Sequence, residues 1–501
     1  MRGLSKDPAA QIGRYLDAAD GARLRLVTNP RNSLARSDYN FAVSRIVEII
    51  NGAGLSPWKT PVSCGYGENA QWRLSLLPPS SSLEHDLSDY EILPADRYDF
   101  RGELVGERVL KEGLGAPVIT VAKGVDFKDI DNYGGAGQTA FYGLTAVVRF
   151  HGRACELQLI DPLAEETVTL GEREYPLAAD FQAPLALAMS KVDMKKFERS
   201  GMFAPSKHRR TARLVRLQPY HPDKVPVLFI HGLGNSPASL VPMFEYLRNT
   251  EEIRKRYQFW SFMYPTGVSY PINAAILRTQ LDQMKVRYPD HKDMVVVAHS
   301  LGGNITRLLI TDTGMKLWDS YYAQPPAQIP FHDETRKMVS EALIFEARPD
   351  ISRVIFSSAS LRGSKTATSF IGRLGTRLIG DPLADDQITE QALSHMRPEV
   401  QALGRKHLPN SVDILDPDSL FLSSINALPI NPGIPYHTLI GDRGKGGNLD
   451  HTEPVSTDGI VPYWSSHLDG AQSELIIPSE HWSILHPLGM AEVKRILLEY
   501  D

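Results

Sequence analysis

The chain has 501 residues, 42% of them hydrophobic and 23% charged, with a formal net charge of −5. This length exceeds one ordinary domain, and the composition is typical of a soluble globular protein. The charge balance gives no electrostatic basis for binding nucleic acid, and there is no run of about 18 apolar residues that would predict a transmembrane helix.

The first residues contain no secretory signal, and the two cysteines fit neither a disulfide framework nor a metal site. We therefore expect a cytoplasmic protein, or an exported or envelope protein if a leader has been removed. Cys64 and Cys155 are expected to be buried free thiols, with one disulfide between them as the alternative. No cofactor or metal is expected, and the oligomeric state stays open.

Residues 1–211 predict an N-terminal α+β accessory domain. Residues 1 to about 60 contain helix-favouring segments. From about 70 to 180, short β-branched or alternating runs lie between Gly, Pro and Asp signals, and a helix is expected at about residues 184–197. These residues indicate no chemistry by themselves.

From residue 212 onward, buried strand-like runs alternate with helical segments. The strand runs include residues 225–230, 259–264 and 294–297, and Ser236-Pro237 is interpreted as the N-cap and first-turn proline of a helix. This alternation predicts a mostly parallel sheet with helices on both faces, so residues 212–501 are expected to form an α/β domain.

A nucleophile elbow is predicted at residues 298–303, Ala-His-Ser-Leu-Gly-Gly. The segment follows a Val-rich strand run and precedes an apolar-faced helix, which is the strand–turn–helix context of such an elbow. The turn strains the serine backbone, so small residues are needed two positions to either side, and here they are Ala298 and Gly302. Ser300 is therefore the candidate nucleophile, although a serine between small residues is often only a turn.

A serine hydroxyl needs a base, and in this kind of sheet the acid and the histidine follow the serine in chain order. Asp458 lies in a polar loop after a strand run that ends at Ile440, and His481 follows the run 474–477. Both loops belong to the carboxyl ends of strands, where open α/β sheets have their sites. We predict that Ser300, Asp458 and His481 form a catalytic triad.

Other residues compete for these roles. Asp442 directly follows its strand and is the alternative to Asp458 as the acid. His467 and His486 compete for the role of base, but the first precedes the last strand and the second begins the terminal helix, so both are expected to be structural. His299 is expected to pack and hydrogen-bond beside the turn.

Backbone N–H groups are needed to stabilise the oxyanion of a tetrahedral intermediate. The residue after the nucleophile, Leu301, is expected to supply one of them. The Gly-rich loop 231–234, His-Gly-Leu-Gly, allows close backbone approach, and we assign Leu233 as the second donor. A plain strand end at His231-Gly232 is compatible with this assignment.

With these motifs, residues 212–500 resemble the lipase-like α/β-hydrolases of bacteria, which are relatives of the esterase/lipase superfamily. The resemblance rests on the elbow and on residues 225–233, 257–260, 264–267 and 458–467. The N-terminal part resembles the extra domain that many of these proteins carry. The resemblance implies the α/β-hydrolase fold, hydrolysis of carboxylic esters and the same three triad residues.

Three departures from the family pattern concern specificity. The elbow usually reads Gly-His-Ser-Met-Gly-Gly, so Ala298 and Leu301 differ. Residues 360–364 read Ser-Leu-Arg-Gly-Ser where Pro-His-Arg-Gly-Ser is expected. Trp482, a bulky residue that could narrow the pocket, follows the predicted base His481, where a small polar residue is common. The candidate substrate-pocket residues are Trp482, Tyr264 and Trp464.

A stretch of about residues 362–435 separates two strand runs and is too long for a plain crossover, so a helical cap is expected there. Residues 316–350 form a second covering segment, and both are hypothesised to shape an apolar acyl pocket, with an immobile helical pack as the alternative. The predicted function is a serine carboxylic ester hydrolase that acts through an acyl-enzyme on small-molecule or polymeric esters. Alternatives are an acyltransferase with the same triad, a peptidase, and a non-catalytic binding protein on this fold.

Overall fold

The computed structural model describes residues 7–65, 71–77, 89–99, 110–123, 141–191, 193–366, 386–402, 408–443 and 457–499. The described strands are β1 Val62–Gly65, β2 Gln71–Leu76, β3 Tyr90–Pro94, β4 Leu110–Lys111, β5 Ala116–Ala122, β6 Phe141–His151, β7 Ala154–Ile160, β8 Thr167–Leu170, β9 Arg173–Pro176, β10 Ala179–Asp180, β11 Arg213–Arg216, β12 Val225–Ile230, β13 Tyr257–Met263, β14 Met294–His299, β15 Ile351–Ser357, β16 Tyr436–Asp442 and β17 Ser473–Pro478.

The described α-helices are α1 Pro8–Thr28, α2 Ser33–Gly52, α3 Ala183–Lys191, α4 Met194–Phe203, α5 Val241–Arg248, α6 Glu251–Arg256, α7 Tyr270–Arg287, α8 Leu301–Arg307, α9 Lys316–Asp319, α10 Asp333–Leu343, α11 Asp386–Ser394, α12 Pro398–Gln401, α13 Ser411–Ile414, α14 Leu420–Asn426, α15 Tyr463–Ser466 and α16 Pro487–Leu498. Short 3-10 turns lie at Ala95–Arg97, Pro205–Thr211, Pro237–Leu240, Pro326–Gln328 and Ser483–Leu485. None of these described helices combines the length and the apolar composition needed to cross a membrane.

The first large sheet contains six described strands in the order β1-β2-β7-β6-β5-β3. Neighbouring strands are antiparallel except β2 and β7, which are parallel. Helices α1 and α2 pack against each other and against the sheet, and Leu16, Ile46 and Leu144 belong to the apolar core between them. The Tyr39 hydroxyl fixes α2 to this sheet, because it donates to the Val148 carbonyl (2.6 Å) and accepts from the Val148 amide (2.9 Å).

The predicted sequence of helices followed by strands is confirmed for this part, with one difference. The helix that the sequence predicts at 184–197 is two helices, α3 and α4. The break has a local cause, since the Asp193 carboxylate caps α4 by accepting from the Lys196 amide (2.9 Å). Cys64 and Cys155 are both buried and free, as predicted.

The second large sheet contains seven described strands in the order β11-β13-β12-β14-β15-β16-β17. Strand β11 runs antiparallel to β13 at one edge, and the other pairs are parallel. Side chains of β12 alternate between two cores: Leu228 and Ile230 pack on the side of α7 and α8, whereas Val227 and Phe229 pack on the side of α5 and α16. The chain is therefore of the α/β class here, with helices on both faces of a mixed sheet.

The helix expected at Ser236-Pro237 begins differently from the prediction. A 3-10 turn, Pro237–Leu240, comes first, and α5 starts only at Val241. Ser236 is at the N-cap position and Pro237 in the first turn, as predicted, but the Ser236 hydroxyl donates to the carboxylate of Glu198 in α4 (2.6 Å) instead of accepting from an amide of the turn. The hydrogen bond from Ser236 to Glu198 thus replaces the side-chain cap that a serine at this position often makes.

Charged side chains connect the two parts of the chain. Glu166, just before β8, pairs across the two parts with Arg254 of α6 through two contacts of 2.6 and 2.8 Å, and within its own part with Lys111. The Lys224 ammonium donates to the backbone carbonyl of Leu163. The described parts are thus joined by one partly buried ion pair, Glu166–Arg254, and by the Lys224–Leu163 hydrogen bond, and the proposed boundary between residues 211 and 212 stays a prediction.

Both predicted covering segments contain described helices. Helices α9 and α10 lie in the segment 316–350, and α11 to α14 lie in the segment 362–435. Their buried side chains, Trp318, Phe331 and Phe421 among them, join the same apolar core as α7 and α8. Residues 367–385 and 403–407 of the expected cap lie outside the described residues, and a moving cap stays a prediction.

Candidate active site

Ser300 lies between the end of β14 and the start of α8, in a backbone conformation that few non-glycine residues adopt. Its φ is 55° and its ψ is −124°. The Ser300 amide donates to the Ser357 carbonyl (2.9 Å), and the Ser300 carbonyl accepts from the Gly303 amide (2.8 Å). Strain of this kind persists only where the surrounding structure fixes the backbone, and it is common at functional sites.

Close backbone packing explains which small residues the turn needs. A methyl group at Gly302 would overlap the carbonyl oxygen of Ile230 in β12, and one at Gly303 would overlap the side chain of Ala359. Ala298 is an ordinary strand residue of β14 that pairs with Ile230 on one side and with β15 on the other. The departure from glycine at position 298 is therefore compatible with the turn, whereas Gly302 has no room for a side chain.

Three polar side chains form a continuous chain of hydrogen bonds at this turn. His481 Nε2 lies 2.8 Å from Ser300 Oγ, and His481 Nδ1 lies 2.8 Å from Asp458 Oδ2. A carboxylate at Asp458 accepts a hydrogen bond from Nδ1–H, which leaves Nε2 free to accept the serine proton. The three residues predicted to form a triad are therefore joined by hydrogen bonds in the order Ser300–His481–Asp458.

The Asp458 carboxylate is almost fully buried and held by the backbone of its own loop. Its Oδ1 accepts from the amides of Ile460 (2.8 Å) and Val461 (2.7 Å). Burial alone would raise the pKa of Asp458, but the hydrogen bonds from His481 and from the two amides outweigh it and hold the pKa below its ordinary value. The group is therefore ionised when it faces His481.

The competing residues lie elsewhere. Asp442 is the last residue of β16, and the His481 ring hydrogen-bonds the carboxylate of Asp458 and not that of Asp442. His467 Nδ1 lies 2.8 Å from Glu474 and 2.9 Å from the Tyr463 hydroxyl, in a separate polar cluster. The His486 ring accepts from the Leu488 amide (3.3 Å) at the start of α16. Both histidines have the structural positions expected of them.

His299, the residue before Ser300, holds the loop that carries the base. Its Nε2 donates to the backbone carbonyl of His481 (2.9 Å). Burial, with His481 nearby, lowers the pKa of His299 to about 3, so the ring is neutral at physiological pH. The Trp482 ring stacks on His299 with centroids 4.7 Å apart and planes 16° apart, while 38% of Trp482 stays exposed. Trp482, expected to narrow the pocket, covers the face of this positioning histidine.

The loop 231–234 lies directly beside Ser300. A methyl group at Gly232 would come within 2.9 Å of Ser300 Cβ, so glycine is required for the close approach. The amides of Leu233 and Leu301 donate no hydrogen bond to any part of the chain that the structure describes. Both predicted oxyanion donors are thus on segments next to the serine hydroxyl and are available to a ligand.

Tyr264 is fully buried and contacts His231 at the start of this loop. Its hydroxyl donates to the His231 carbonyl (2.6 Å), and its ring stacks on the His231 ring at 4.3 Å. Trp464 is half-buried, and its carbonyl accepts from Arg362 (2.7 Å). That Tyr264, Trp464 and Trp482 line a substrate pocket stays a prediction.

Comparisons with known proteins give weak likenesses only. No protein-family model matches the chain, and no curated protein sequence matches it. A mature lipase of Bacillus licheniformis is similar over 56% of this chain and 93% of its own, with 18% identity and a TM-score of 0.33. A monoacylglycerol lipase of Paleococcus ferrophilus is similar over 57% and 97%, with 15% identity and a TM-score of 0.31. TM-scores this low support no activity.

Two residues near the site are not among those predicted from the sequence. Gly441 in β16 lies beneath Asp458, and a glycine inside a strand run is a signal of such close approach. Ser483 hydrogen-bonds the hydroxyls of Ser357 and Ser358, at 2.8 Å each, and so ties the loop after His481 to β15. No local pattern indicates Ser483, because its partners are more than a hundred residues away.

Proposed function

We propose that the chain is a serine carboxylic ester hydrolase of the α/β-hydrolase fold, with Ser300 as nucleophile, His481 as general base and Asp458 as the orienting acid. The observation that carries the proposal is the pair of 2.8 Å contacts that joins Asp458, His481 and Ser300. The strained φ of 55° at Ser300, at a strand-to-helix turn of a mixed sheet, supports it further.

In the first half of the reaction, Ser300 Oγ attacks the ester carbonyl carbon while its proton passes to His481 Nε2. Asp458 keeps the proton on Nδ1 and stabilises the imidazolium that forms. The amides of Leu233 and Leu301 donate to the oxyanion of the tetrahedral intermediate. His481 then returns its proton to the leaving alcohol, the carbon–oxygen bond breaks, and the acyl group stays on Ser300 as an ester.

In the second half, His481 takes a proton from water, which attacks the acyl carbon of the Ser300 ester. The same two amides stabilise the second tetrahedral intermediate. Its collapse returns the proton to Ser300 Oγ and releases the carboxylic acid. The net reaction is an ester plus water giving an alcohol plus an acid, so it requires no cofactor.

An apolar acyl pocket is part of the proposal. A cavity of about 80 Å³ lies between the two covering segments, beside the first turn of α7. Tyr322 and Met338 come from the segment 316–350, and Ile414 and Phe421 come from the segment 362–435. An apolar wall of this kind suits the hydrocarbon part of an ester better than a polar chain.

The test compares the wild type with Ser300→Ala on p-nitrophenyl esters of increasing acyl length, with one polymeric ester included. We expect the variant to lose about 10⁶-fold in kcat, the loss measured when the nucleophile of a protease triad is removed. Ser394→Ala, at an exposed serine of α11, is the matched control and keeps wild-type rates. Full activity in folded Ser300→Ala contradicts the proposal, and product analysis with an added alcohol distinguishes acyl transfer from hydrolysis.

A further inference from the structure

Helix α4 belongs to the part of the chain before residue 212, yet its C-terminal half lies against the loops next to Ser300. The Gly267 amide donates to the Gly201 carbonyl (3.0 Å). A methyl group at Gly267 would overlap the carbonyl oxygen of Met202, so the two backbones are in direct contact. Met202 also shares a small apolar cluster with Leu233, whose amide is the proposed oxyanion donor.

A polar contact joins the same helix to the end of the loop 231–236. Ser236 is fully buried, and its Oγ donates to Glu198 Oε1 at 2.6 Å. Burial raises the pKa of Glu198, although the hydrogen bond from Ser236 partly offsets this effect. A short hydrogen bond to a carboxylate is stronger than one between neutral groups, so the contact can hold the loop in one position.

A cavity lies next to the Glu198–Ser236 hydrogen bond. This cavity of about 120 Å³ lies among α3, α4, β11 and α5, and its largely apolar wall includes Met194 and Phe197 of α4 and Pro237 and Ala238 of the turn after Ser236. The Glu198–Ser236 hydrogen bond thus links α4 to this turn directly, beside a cavity that interrupts the apolar packing.

We propose that Glu198 is a positioning residue, which acts through Ser236 to fix the loop 231–236 and the amide of Leu233. This inference rests on the proposed function, in which that amide stabilises the oxyanion. Such a donor works only when it is held in place, because a misplacement of about 1 Å can cost about 10²-fold in rate. The part of the chain before residue 212 then contributes to catalysis indirectly, by holding the loop that carries the oxyanion donor.

The test uses the full chain and three variants of this contact. Glu198→Leu removes the acceptor, Ser236→Ala removes the donor, and Glu198→Gln keeps an acceptor oxygen. We expect Glu198→Leu to lower kcat on p-nitrophenyl butyrate about tenfold with KM little changed, and Glu198→Gln to recover most of that loss. The double variant Glu198→Leu/Ser236→Ala should be no slower than either single variant, because both remove one interaction.

A second readout separates positioning from general stability. An alkyl boronic acid forms a tetrahedral adduct with the serine and uses the oxyanion donors, so its affinity should fall by the same factor as kcat. Arg199→Ala, at the exposed neighbouring position of α4, is the control and should change neither quantity. Melting temperatures of all variants are measured in parallel.

Wild-type kcat and boronic acid affinity in folded Glu198→Leu would overturn the inference. A loss that Glu198→Gln does not recover, or losses that add in the double variant, would also overturn it. If Glu198→Leu does not fold, Ser236→Ala and Glu198→Gln still decide the question. Failure of the proposed function looks different, because the wild type itself would then neither hydrolyse the ester nor bind the boronic acid.

Discussion

The backbone of Gly441 lies directly beneath the side chain of Asp458: a methyl group at Gly441 would come within 2.8 Å of Asp458 Cβ and 3.1 Å of the Glu480 carbonyl oxygen. Gly441→Ala is therefore expected to displace Asp458 from His481 and to lower kcat by up to about 10²-fold with little change in KM. Steady-state kinetics on an aryl ester measure the effect. Unchanged kcat would mean that the position of Asp458 does not limit the rate.

The choice between the two candidate acids gives a second prediction. Asp458→Asn keeps the shape of the side chain but no longer stabilises the imidazolium, so kcat should fall, with about 10⁴-fold as the upper guide from a protease triad. Asp442→Asn should keep most of the wild-type kcat, because His481 contacts Asp458 instead. Kinetics of both variants decide the matter. A large loss in Asp442→Asn alone would reverse the assignment.

Much of the second sheet could be predicted from the sequence, because buried parallel strands have continuous apolar runs. Residues 225–230 and 294–297 lie in β12 and β14, and the turn after β14 has the strain that the elbow motif predicts. The strand-end location of Asp458 and His481 follows from the same pattern, since both residues come after strand runs. Their roles stay a proposal.

The contacts that depend on distant parts of the chain could not be predicted. Ser236 is at the predicted N-cap position, but its hydroxyl donates to Glu198 of α4, a partner that the local sequence does not indicate. The Tyr264 hydroxyl donates to the His231 carbonyl, a contact that the sequence does not indicate. In each case the local sequence predicts the loop, but the hydrogen-bond partner of the side chain lies far away in the sequence.

The ion pair between the two parts of the chain predicts how stability depends on pH. Burial of Glu166 would raise its pKa, but hydrogen bonds from Arg254 and Lys111 outweigh this and lower the pKa below the ordinary 4.5. A carboxyl whose pKa is lowered by folding stabilises the fold above its unfolded pKa. This contribution is lost as the pH falls from 4.5 through the lowered value.

Glu166→Gln should therefore lower the free energy of unfolding at pH 7 by about 2 kcal/mol, the scale of hydrogen bonds to a charged group, discounted because the carboxylate is partly exposed. The difference from the wild type should shrink as the solution is acidified. Urea unfolding at pH 7 and at the lowest pH where the wild type stays folded measures both. Glu165→Gln, at the exposed neighbour, is the control; equal losses in the two variants would contradict the assignment.

A helix glycine offers a prediction of increased stability. Gly21 lies inside α1, and a methyl group built there would meet nothing within 4 Å. Gly21→Ala should raise the free energy of unfolding by about 0.5–1 kcal/mol, because alanine loses less conformational freedom in a helix. Chemical unfolding measures it, and kcat should stay at the wild-type value. A destabilised variant would mean that α1 has a different environment at this position.

The most direct measurement for the central claim is labelling of the full-length protein with a fluorophosphonate probe, followed by mass spectrometry of the modified peptide. Such a probe reacts with an activated serine hydroxyl and needs no knowledge of the natural ester. We predict one rapidly labelled residue, Ser300, with labelling abolished in Ser300→Ala and strongly slowed in a variant that lacks the His481 imidazole. A folded wild type that is not labelled, or that is labelled at another serine, would contradict the account.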